Sequence, residues 1–312
     1  MNPARFEKVF ISGGAGFIGS HFTRRLLAMP SIQGLVIYDN FSSGREAYLT
    51  GVLDDPRLKI VRQDLKDVNA VTDAMRGCDT VIHLAANPDI AKAVTQPDID
   101  FWEGTYLAQN VVEAMRINEV RNILYTSGSG VYGENPGVAF AESYGPCFPI
   151  SPYAASKIAC EALISSYCHM FDMEGRAFRF ANVVGPRQTH GVGYDFVRRL
   201  RADPTQLRIL GDGSQSKSYI HVEDILAAVF LAAEKSTQRF DLFNVATDDY
   251  IGLAPGSTRY DFTGGDRGWK GDVPVVRFDV AKIKALGWRA ARNSTEAVRD
   301  AITAMREEIE NA

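Results

Sequence analysis

The chain has 312 residues, of which 46% are hydrophobic and 23% are charged, so it can bury one large core or two joined ones. Its formal net charge is -4 with acids and bases interleaved, which argues against nucleic acid as a partner. No apolar stretch approaches the ~20 residues that cross a bilayer, and residues 1–8 lack a signal-peptide pattern, so we expect a cytoplasmic protein without a membrane partner.

Short apolar and β-branched runs alternate with helical patterns along the first part of the chain. The predicted strands are residues 9–12, 35–38, 58–62, 80–84, 123–126 and 177–181. This alternation predicts an α/β fold, a Rossmann-type doubly wound parallel sheet with helices on both faces.

Two long helices are predicted at residues 98–118 and 152–173, the second with Ser151 at the N-cap and Pro152 at the first helical position. Both are long enough to offer a face for a homodimer. Beyond Asn182 glycine and proline become frequent, before a final helix near residues 295–310. We therefore predict a dinucleotide-binding Rossmann domain at residues 1–181 and a smaller substrate-binding part at residues 182–312, interleaved with the first.

The four cysteines lack both the CxxC spacing of a redox or zinc site and the density of a disulfide scaffold. We therefore expect Cys78, Cys147, Cys160 and Cys168 to be reduced thiols that mostly serve packing, and we assign no metal ligands.

The first chemical motif is GGAGFIG at residues 13–19, directly after the first predicted strand and at the start of a helix. Its glycines allow a tight turn and a close approach of the backbone to a pyrophosphate, which the free N–H groups of the helix start then face. Asp39 ends the second strand twenty residues after Gly19, where a carboxylate binds the adenosine ribose and repels the extra phosphate of NADP. The sequence therefore predicts NAD, with Arg45 taken as a solvated loop cation.

Residues after the third and fourth strands fit the same cofactor. Asp64-Leu65 is placed beside the adenine, and Leu84, Ala85 and Ala86 supply a compact backbone where the dinucleotide passes. His83 is predicted to be a packed strand residue rather than a base.

Tyr153 and Lys157 are four residues apart on a predicted helix, so their side chains lie on one face. The ammonium can favour the phenolate and bind the nicotinamide ribose, while the phenolate exchanges a proton with the reacting hydroxyl. The alternative is an exposed pair without chemistry. Because the pair follows both a cofactor motif and a Ser/Gly-rich loop at residues 126–133, we favour the catalytic interpretation.

Six segments together resemble the extended short-chain dehydrogenases, from residue 9 to about residue 302. They are GGAGFIG at 13–19, DNFSSG at 39–44, HLAAN at 83–87, SGSGVYG at 127–133, SPYAASK at 151–157 and RFANVVGPR at 179–187. Within that superfamily, residues 179–196 and GDGSQSKSYIHVEDI at 211–225 are similar to the UDP-galactose 4-epimerase branch.

The resemblance implies an NAD-dependent nucleotide-sugar 4-epimerase of the UDP-glucose/UDP-galactose type. In such enzymes hydride leaves carbon 4 as the tyrosine removes the hydroxyl proton, the 4-keto sugar turns over, and hydride returns to the other face. The candidate cofactor-binding residues are Gly13, Gly16, Phe17, Ile18, Gly19, Asp39, Asn40, Ser43, Gly44, Asp64, Leu65, Leu84, Ala85, Ala86, Tyr153 and Lys157.

The resemblance also implies a set of substrate contacts: Ser129, Asn182, Lys217 and Asp272. Asn182 and Lys217 stand at the diphosphate, where an arginine is commoner than lysine, and Asp272 stands at the nucleotide ribose. The arginine expected three positions before Asp272 is Trp269; either Arg267 substitutes for it or Trp269 stacks on the base or simply packs. The sequence therefore leaves the sugar and the base open.

Gly128 occupies the position where the resemblance places a catalytic serine or threonine. A neighbouring hydroxyl replaces it, a water does, or the assistance is weaker. We favour Ser127, since Ser129 points to the other side if the chain stays extended; both serines serving only the loop backbone is the alternative. Ser129-Gly130 also lacks the carboxylates that the resembling dehydratases and decarboxylases use, which ranks those reactions lower.

Two other functions remain open: a nucleotide-sugar dehydrogenase with a net redox change, and a catalytically silent dinucleotide sensor, which the Tyr153–Lys157 pair disfavours.

One departure from the resembling family concerns the fold. Relatives place an amphipathic helix of roughly four turns after the strand at residues 243–246, whereas here Ile251 passes straight to Gly252. Either the helix is deleted or residues are omitted from the sequence there. A normal peptide bond between Ile251 and Gly252 would refute the omission.

Overall fold

Seven parallel strands form the central sheet of the computed structural model, which describes residues 6–253 and 258–310. In chain order the strands are β1 (Lys8–Ser12), β2 (Gly34–Asp39), β3 (Leu58–Arg62), β4 (Thr80–His83), β5 (Asn122–Gly128), β6 (Ala139–Phe140), β7 (Glu174–Phe180), β8 (Asn182–Val184), β9 (Gln206–Ile209), β10 (Tyr219–His221), β11 (Phe240–Val245), β12 (Arg259–Phe262) and β13 (Arg277–Phe278).

The large sheet has the order β3-β2-β1-β4-β5-β7-β11. The strand order reverses between β1 and β4, and in such sheets ligands bind at the carboxyl ends of the strands at that point. The predicted Rossmann-type fold is confirmed, and each of the six predicted strands overlaps a strand of this sheet. The remaining strands form three short parallel pairs, β8 with β10, β9 with β12 and β6 with β13.

Helices cover both faces of the sheet. They are α1 (Phe17–Leu27), α2 (Val68–Ala74), α3 (Tyr106–Ile117), α4 (Pro152–Met170), α5 (Val192–Ala202), α6 (Val222–Lys235), α7 (Ala281–Ala285) and α8 (Ser294–Glu310). Helix α4 begins where the sequence predicts, because the Ser151 hydroxyl accepts a hydrogen bond from the Ala154 N–H at 3.2 Å. No described helix is both long and apolar enough to cross a membrane.

The helix predicted over residues 98–118 is present from residue 99 to residue 117, but it is not a regular α-helix throughout. A π-helical turn, Phe101–Thr105, interrupts it before α3. The predicted periodicity of 3.6 residues per turn could not show it.

The two faces of the sheet bury separate cores. On one face Phe22 and Leu26 of α1 pack with Ile225 of α6, and on the other Val111 of α3 packs with Ile164 of α4. Helix α6 and strand β11 both come from beyond residue 182, so the second half of the chain completes the sheet layer begun by the first. The four cysteines are free, and Cys160 and Cys168 are buried in the second core.

The chain continues directly from Ile251 to Gly252. Ile251 exchanges backbone hydrogen bonds of 2.9 and 3.0 Å with Lys217, and Gly252 lies against the Gln215 carbonyl. No helix occurs in the described residues 246–253 and 258–280, while residues 254–257 lie outside the description. The described part of the connection to β12 therefore has no helix where the resemblance places one.

Candidate active site

The glycine-rich turn joins β1 to α1 at the carboxyl edge of the sheet. Gly13 has φ +74°, and its N–H donates to the Tyr38 carbonyl at 2.9 Å. A Cβ on Gly19 would lie 2.0 Å from the Gly13 oxygen, so only glycine allows the first turn of α1 to sit this close to the loop. The N–H groups of Phe17 and Ile18 belong to the helix start, where backbone donors have no intrahelical acceptor.

The β4 loop closes on this turn. A Cβ built on Gly13 would lie 3.0 Å from the Ala85 nitrogen, and the Leu84 N–H donates to the Ser12 carbonyl at 3.2 Å. The two predicted cofactor segments are thus in backbone contact. This contact lies at the carboxyl ends of β1 and β4, where sheets of this kind bind ligands.

Asp39 lies at the end of β2 with 7% of its surface exposed. Its carboxylate accepts from the Ala15 N–H at 3.0 Å and from the Phe41 N–H at 2.8 Å. Burial raises the pKa of Asp39, while the two backbone hydrogen bonds and Arg62 oppose this. The acid is therefore fixed against the glycine turn, and Gly44 is needed beside it because a Cβ there would lie 2.9 Å from Asp39 Oδ1.

The remaining cofactor candidates lie around the end of β3. Asn40 donates from Nδ2 to Asp64 Oδ2 at 3.3 Å, and the Asp64 carbonyl accepts from the Tyr38 hydroxyl at 3.2 Å. Leu65 is buried, and Ser43 is exposed on the loop after β2. The structure thus brings Asn40 and Asp64 together while leaving Ser43 apart from them.

His83 is packed within the sheet, as predicted. Its Nδ1 lies 2.6 Å from Ser12 Oγ, and its ring stacks on Tyr125 at 5.6 Å. Burial, with a smaller contribution from Lys157, lowers the pKa of His83 to about 3. The imidazole is therefore neutral near neutral pH.

Tyr153 and Lys157 lie on the first two turns of α4, above the end of β5. The Lys157 ammonium donates to the Thr126 carbonyl at 2.8 Å and lies 5.4 Å from the centre of the Tyr153 ring. Lys157 is buried, whereas Tyr153 is half-buried and accessible to a ligand. The cation is therefore held in place beside a reachable phenol.

A buried ion pair holds α4 to the sheet. Arg179 of β7 donates from Nε and Nη2 to the two carboxylate oxygens of Glu161, at 3.0 and 2.6 Å. Such two-point contacts fix orientation as well as distance. Because Glu161 is one turn beyond Lys157, this contact also positions the Tyr153–Lys157 pair.

Gly128 ends β5 in extended conformation, and a Cβ built there would have no heavy atom within 4 Å. Ser127 is buried, and its Oγ has no hydrogen-bond partner within the described ranges. The chain does not remain extended after Gly128, since a 3₁₀ turn, Ser129–Tyr132, follows. The expected alternation therefore holds for Ser127 but cannot be applied to Ser129.

Lys217 and Asp272 pair with each other. Lys217 Nζ lies 2.7 Å from Asp272 Oδ1 and also donates to the Val273 carbonyl. Asn182 on β8 donates from Nδ2 to the Ser218 carbonyl at 3.2 Å, which places it beside the Lys217 segment. Three of the four predicted substrate residues therefore belong to one region.

Arg267 and Trp269 precede Asp272 on the same loop. Arg267 forms ion pairs with Asp266 at 2.8 Å and with Glu134 at 3.2 Å. The Trp269 ring covers Gly271, where a Cβ would lie 2.5 Å from the ring and 2.9 Å from Ser151 Cβ. The loop thus packs against the N-cap of α4, two residues from Tyr153.

A group of residues that the sequence did not single out lies beneath Tyr153 and Lys157. Asp100 and Gly104 line a small cavity there, with Asn87 of the HLAAN segment. The signal that could have found Asp100 is an acid directly before an apolar, aromatic helix start.

The residues present fit a dinucleotide. The turn after β1 requires glycine, the start of α1 has free N–H donors, and the Asp39 carboxylate is fixed at the end of β2. The buried Lys157 lies beside the accessible Tyr153.

Known proteins match this chain over most of its length. A UDP-glucose 4-epimerase from Mycolicibacterium smegmatis is 34% identical over 77% of each chain. The crystal structure of Thermus thermophilus UDP-glucose 4-epimerase in complex with NAD has TM-score 0.83 and 30% identity, covering 96% of this chain and 99% of that one. A Streptomyces venezuelae dTDP-glucose 4,6-dehydratase structure with NAD bound has TM-score 0.86 and 25% identity, over 97% and 98%.

These relatives bear out the predicted cofactor, which is NAD. The model of the NAD dependent epimerase/dehydratase family matches residues 9–246. The chain belongs to this family.

Proposed function

We propose that the protein is a nucleotide-sugar 4-epimerase of the UDP-glucose/UDP-galactose type. The observation that carries this proposal is the placement of an accessible tyrosine, Tyr153, beside a fixed cation, Lys157, at the edge of the sheet where the glycine turn meets the β4 loop. When bound, NAD accepts a hydride from a carbon atom and can return it.

In this proposal Tyr153 moves the proton. Its phenolate accepts the proton of the sugar 4-hydroxyl, so the sugar O–H bond breaks and the phenol O–H bond forms. Tyr153 gives the proton back to the same oxygen when the 4-keto group is reduced. Lys157 favours the phenolate electrostatically, and the Thr126 carbonyl fixes its ammonium.

Where we place the substrate, the Lys217 cation takes part in an ion pair that an anionic ligand can replace. Lys217 is paired with Asp272, and both side chains are partly exposed. An anionic diphosphate can compete for Lys217 and leave Asp272 to accept hydrogen bonds from ribose hydroxyls, while Asn182 supplies a neutral donor. These residues thus fit a nucleoside-diphosphate sugar as a group.

The loop after β5 supports epimerisation over dehydration. Ser129 and Gly130 carry no carboxylate, and a dehydratase needs an acid and a base to remove water from the sugar. Among the described residues lining the cavity beneath Tyr153, the one carboxylate is Asp100, which is held by Asn87. We therefore place dehydration below epimerisation.

We also propose a homodimer built on α3 and α4. These helices pack together, and Ile117, Met170 and Phe171 at their ends are exposed apolar side chains. Sedimentation of the purified protein, compared with a Met170→Glu variant, tests this assembly. A monomer in both samples would contradict it.

The test of the reaction is product analysis with intact protein and NAD. UDP-glucose, UDP-galactose, their N-acetyl forms and dTDP-glucose are supplied one at a time, while NMR follows the sugar and absorbance follows reduced nicotinamide. We expect the 4-epimer to accumulate with no net reduced nicotinamide. Stoichiometric reduced nicotinamide would instead indicate a dehydrogenase, and a 4-keto-6-deoxy sugar a dehydratase.

A further inference from the structure

A cavity with room for about one water molecule lies beneath the Tyr153–Lys157 pair. Its polar lining includes His83 of β4, Tyr125 of β5, Asn87 and Asp100, together with Tyr153 and Lys157. The site described above uses only the last two as chemical groups. Asp100 lines the same cavity as Tyr153 and Lys157.

Asp100 lies directly before the π-helical turn and is buried. It is 1% exposed, whereas Phe101 and Trp102 are 51% and 44% exposed. Gly104, four residues on, lines the same cavity. Asp100 therefore lies under the site, while the two aromatic side chains that follow it lie outside it.

One oxygen of Asp100 is held and the other is not. Oδ1 accepts from Asn87 Nδ2 at 2.9 Å. Asn87 is itself fixed by Asp89, through hydrogen bonds to its carbonyl at 2.9 Å and from its N–H at 3.0 Å. Oδ2 is buried and has no hydrogen-bond partner in residues 6–253 and 258–310. A buried carboxylate oxygen left without a partner is costly, which points to a role beyond packing.

The other titratable groups of the cavity are neutral near neutral pH. The pKa of His83 is lowered to about 3 by burial and Lys157, and burial holds the pKa of Tyr125 well above its usual value. Besides Tyr153, the described lining residues that can carry a charge near neutral pH are therefore Lys157 and Asp100. Burial raises the pKa of Asp100, while Asn87 and Lys157 oppose the shift.

The charged groups on the neighbouring elements are engaged elsewhere. Glu103 on the π-helical turn pairs with Lys66, and Glu161 on α4 pairs with Arg179. Asp98 is exposed and accepts from Trp102 Nε1. None of these side chains lines the cavity.

We propose that Asp100 is a positioning residue for the Tyr153–Lys157 pair, whose carboxylate contacts the Lys157 ammonium through a water molecule in the cavity and opposes the effect of that ammonium on Tyr153. Lys157 alone favours loss of the phenol proton. The nearby carboxylate of Asp100 makes loss of the Tyr153 phenol proton less favourable. A group that must both take and return a proton needs this balance, because its proton affinity has to suit both directions.

The proposal rests on the acid/base role proposed for Tyr153, and the experiment separates the two. Tyrosinate absorbance of the protein with NAD is followed against pH, and the step that Tyr153→Phe removes is assigned to Tyr153. Asp100→Asn keeps an acceptor for Asn87 but removes the charge. We expect it to move the midpoint of that step to lower pH by ~0.5 unit or more, with the acid limb of kcat/KM moving equally.

The matched control is Asp98→Asn, which makes the same change of charge two residues away on the exposed side and should leave the midpoint in place. Asp100→Ser removes the charge without a second amide and should shift the midpoint in the same direction, whereas Asp100→Glu should restore it. Thermal unfolding checks that each variant is folded.

An unmoved midpoint in folded Asp100→Asn and Asp100→Ser would overturn the role of Asp100 while leaving that of Tyr153 intact. If Tyr153→Phe removes no titrating step, the role of Tyr153 fails and this proposal fails with it.

Discussion

Where we propose that NAD binds, the cofactor end, the site is fixed by backbone contacts and burial. Where we propose that the nucleotide sugar binds, the substrate end, it is held by an ion pair between partly exposed side chains. Gly19 packs against the Gly13 carbonyl so closely that no side chain fits, and Asp39 is fixed by two backbone N–H groups. Lys217 and Asp272, in contrast, meet through a 2.7 Å ion pair that solvent and ligands can reach.

This difference explains why NAD can be identified from the sequence and the sugar cannot. A steric requirement for glycine leaves a mark that few other structures would leave. A partly exposed ion pair contributes little free energy of its own and can be exchanged for contacts to a substrate. The cofactor end is therefore specified before binding, and the substrate end is completed by what binds.

The largest expected effect is the loss of turnover on changing Tyr153, which we place between the cofactor end and the substrate end. Tyr153→Phe removes the hydroxyl but keeps the ring, so we expect turnover to fall at least ~100-fold, the usual range for loss of a general acid/base. NAD affinity, measured by titration calorimetry, should be close to that of the parent because the glycine turn is untouched. Turnover near the parent value would remove Tyr153 from the chemistry.

The rigidity of the cofactor end can be tested by adding one methyl group. Gly19→Ala would place a Cβ 2.0 Å from the Gly13 oxygen, so the turn or the helix must move. We expect a loss of ~2–3 kcal/mol in the free energy of unfolding, within the usual range for overpacking, and weaker NAD binding.

Gly193→Ala provides the matched control for that change. Gly193 lies in α5, and a Cβ there would contact no heavy atom within 4 Å, so alanine should be neutral or stabilise by ~0.5–1 kcal/mol. Equal unfolding midpoints in urea for the two variants would contradict a preformed, close-packed cofactor end.

The loop after β5 provides a smaller test of the catalytic hydroxyl. We propose that Ser127 assists indirectly in place of Gly128, so Ser127→Ala should slow single-turnover hydride transfer ~10-fold, less than loss of a direct donor, and more than Ser129→Ala does. Because Ser127 Oγ has no hydrogen-bond partner among the described residues, the change breaks no described hydrogen bond. Gly128→Ser should be tolerated or faster, since a Cβ there meets open space. Equal, small losses in both alanine variants would favour a bound water.

The smallest effect concerns the choice between NAD and NADP. Asp39→Ala removes the charge that repels the extra phosphate, so we expect the preference for NAD to narrow by ~5–10-fold. Asp39→Asn keeps an acceptor for the Ala15 or Phe41 N–H and separates charge from hydrogen bonding. If the parent binds both cofactors with similar affinity, Asp39 does not select between them.

The parts of the site that follow local rules could be predicted from the sequence. The β-branched runs mark the strands, the glycines mark the turn, and the four-residue spacing of Tyr153 and Lys157 places both on one helical face. These signals depend on neighbours in sequence, and the ends of the six predicted strands agree with the observed ones to within three residues.

The parts that depend on tertiary context could not be predicted. Asp100 gains its place beneath Tyr153 because its helix packs beside residues of β4, β5 and α4, which are distant in sequence. The pairing of Lys217 with Asp272 joins residues 55 positions apart, and no periodicity encodes it. Helix α6, which completes the core beside α1, also went unpredicted as an element, although its first residues belong to a recognised motif.

The contact between Gly104 and Ser156 restricts how these positions can vary through evolution. A Cβ on Gly104 would lie 2.3 Å from Ser156 Oγ, which also accepts from the Thr105 hydroxyl at 2.9 Å. An alanine at 104 requires that hydroxyl to turn away or position 156 to become smaller. Homologues with a larger residue at 104 should therefore carry a smaller residue at 156, 52 positions away in sequence, or a Ser156 hydroxyl turned to another rotamer.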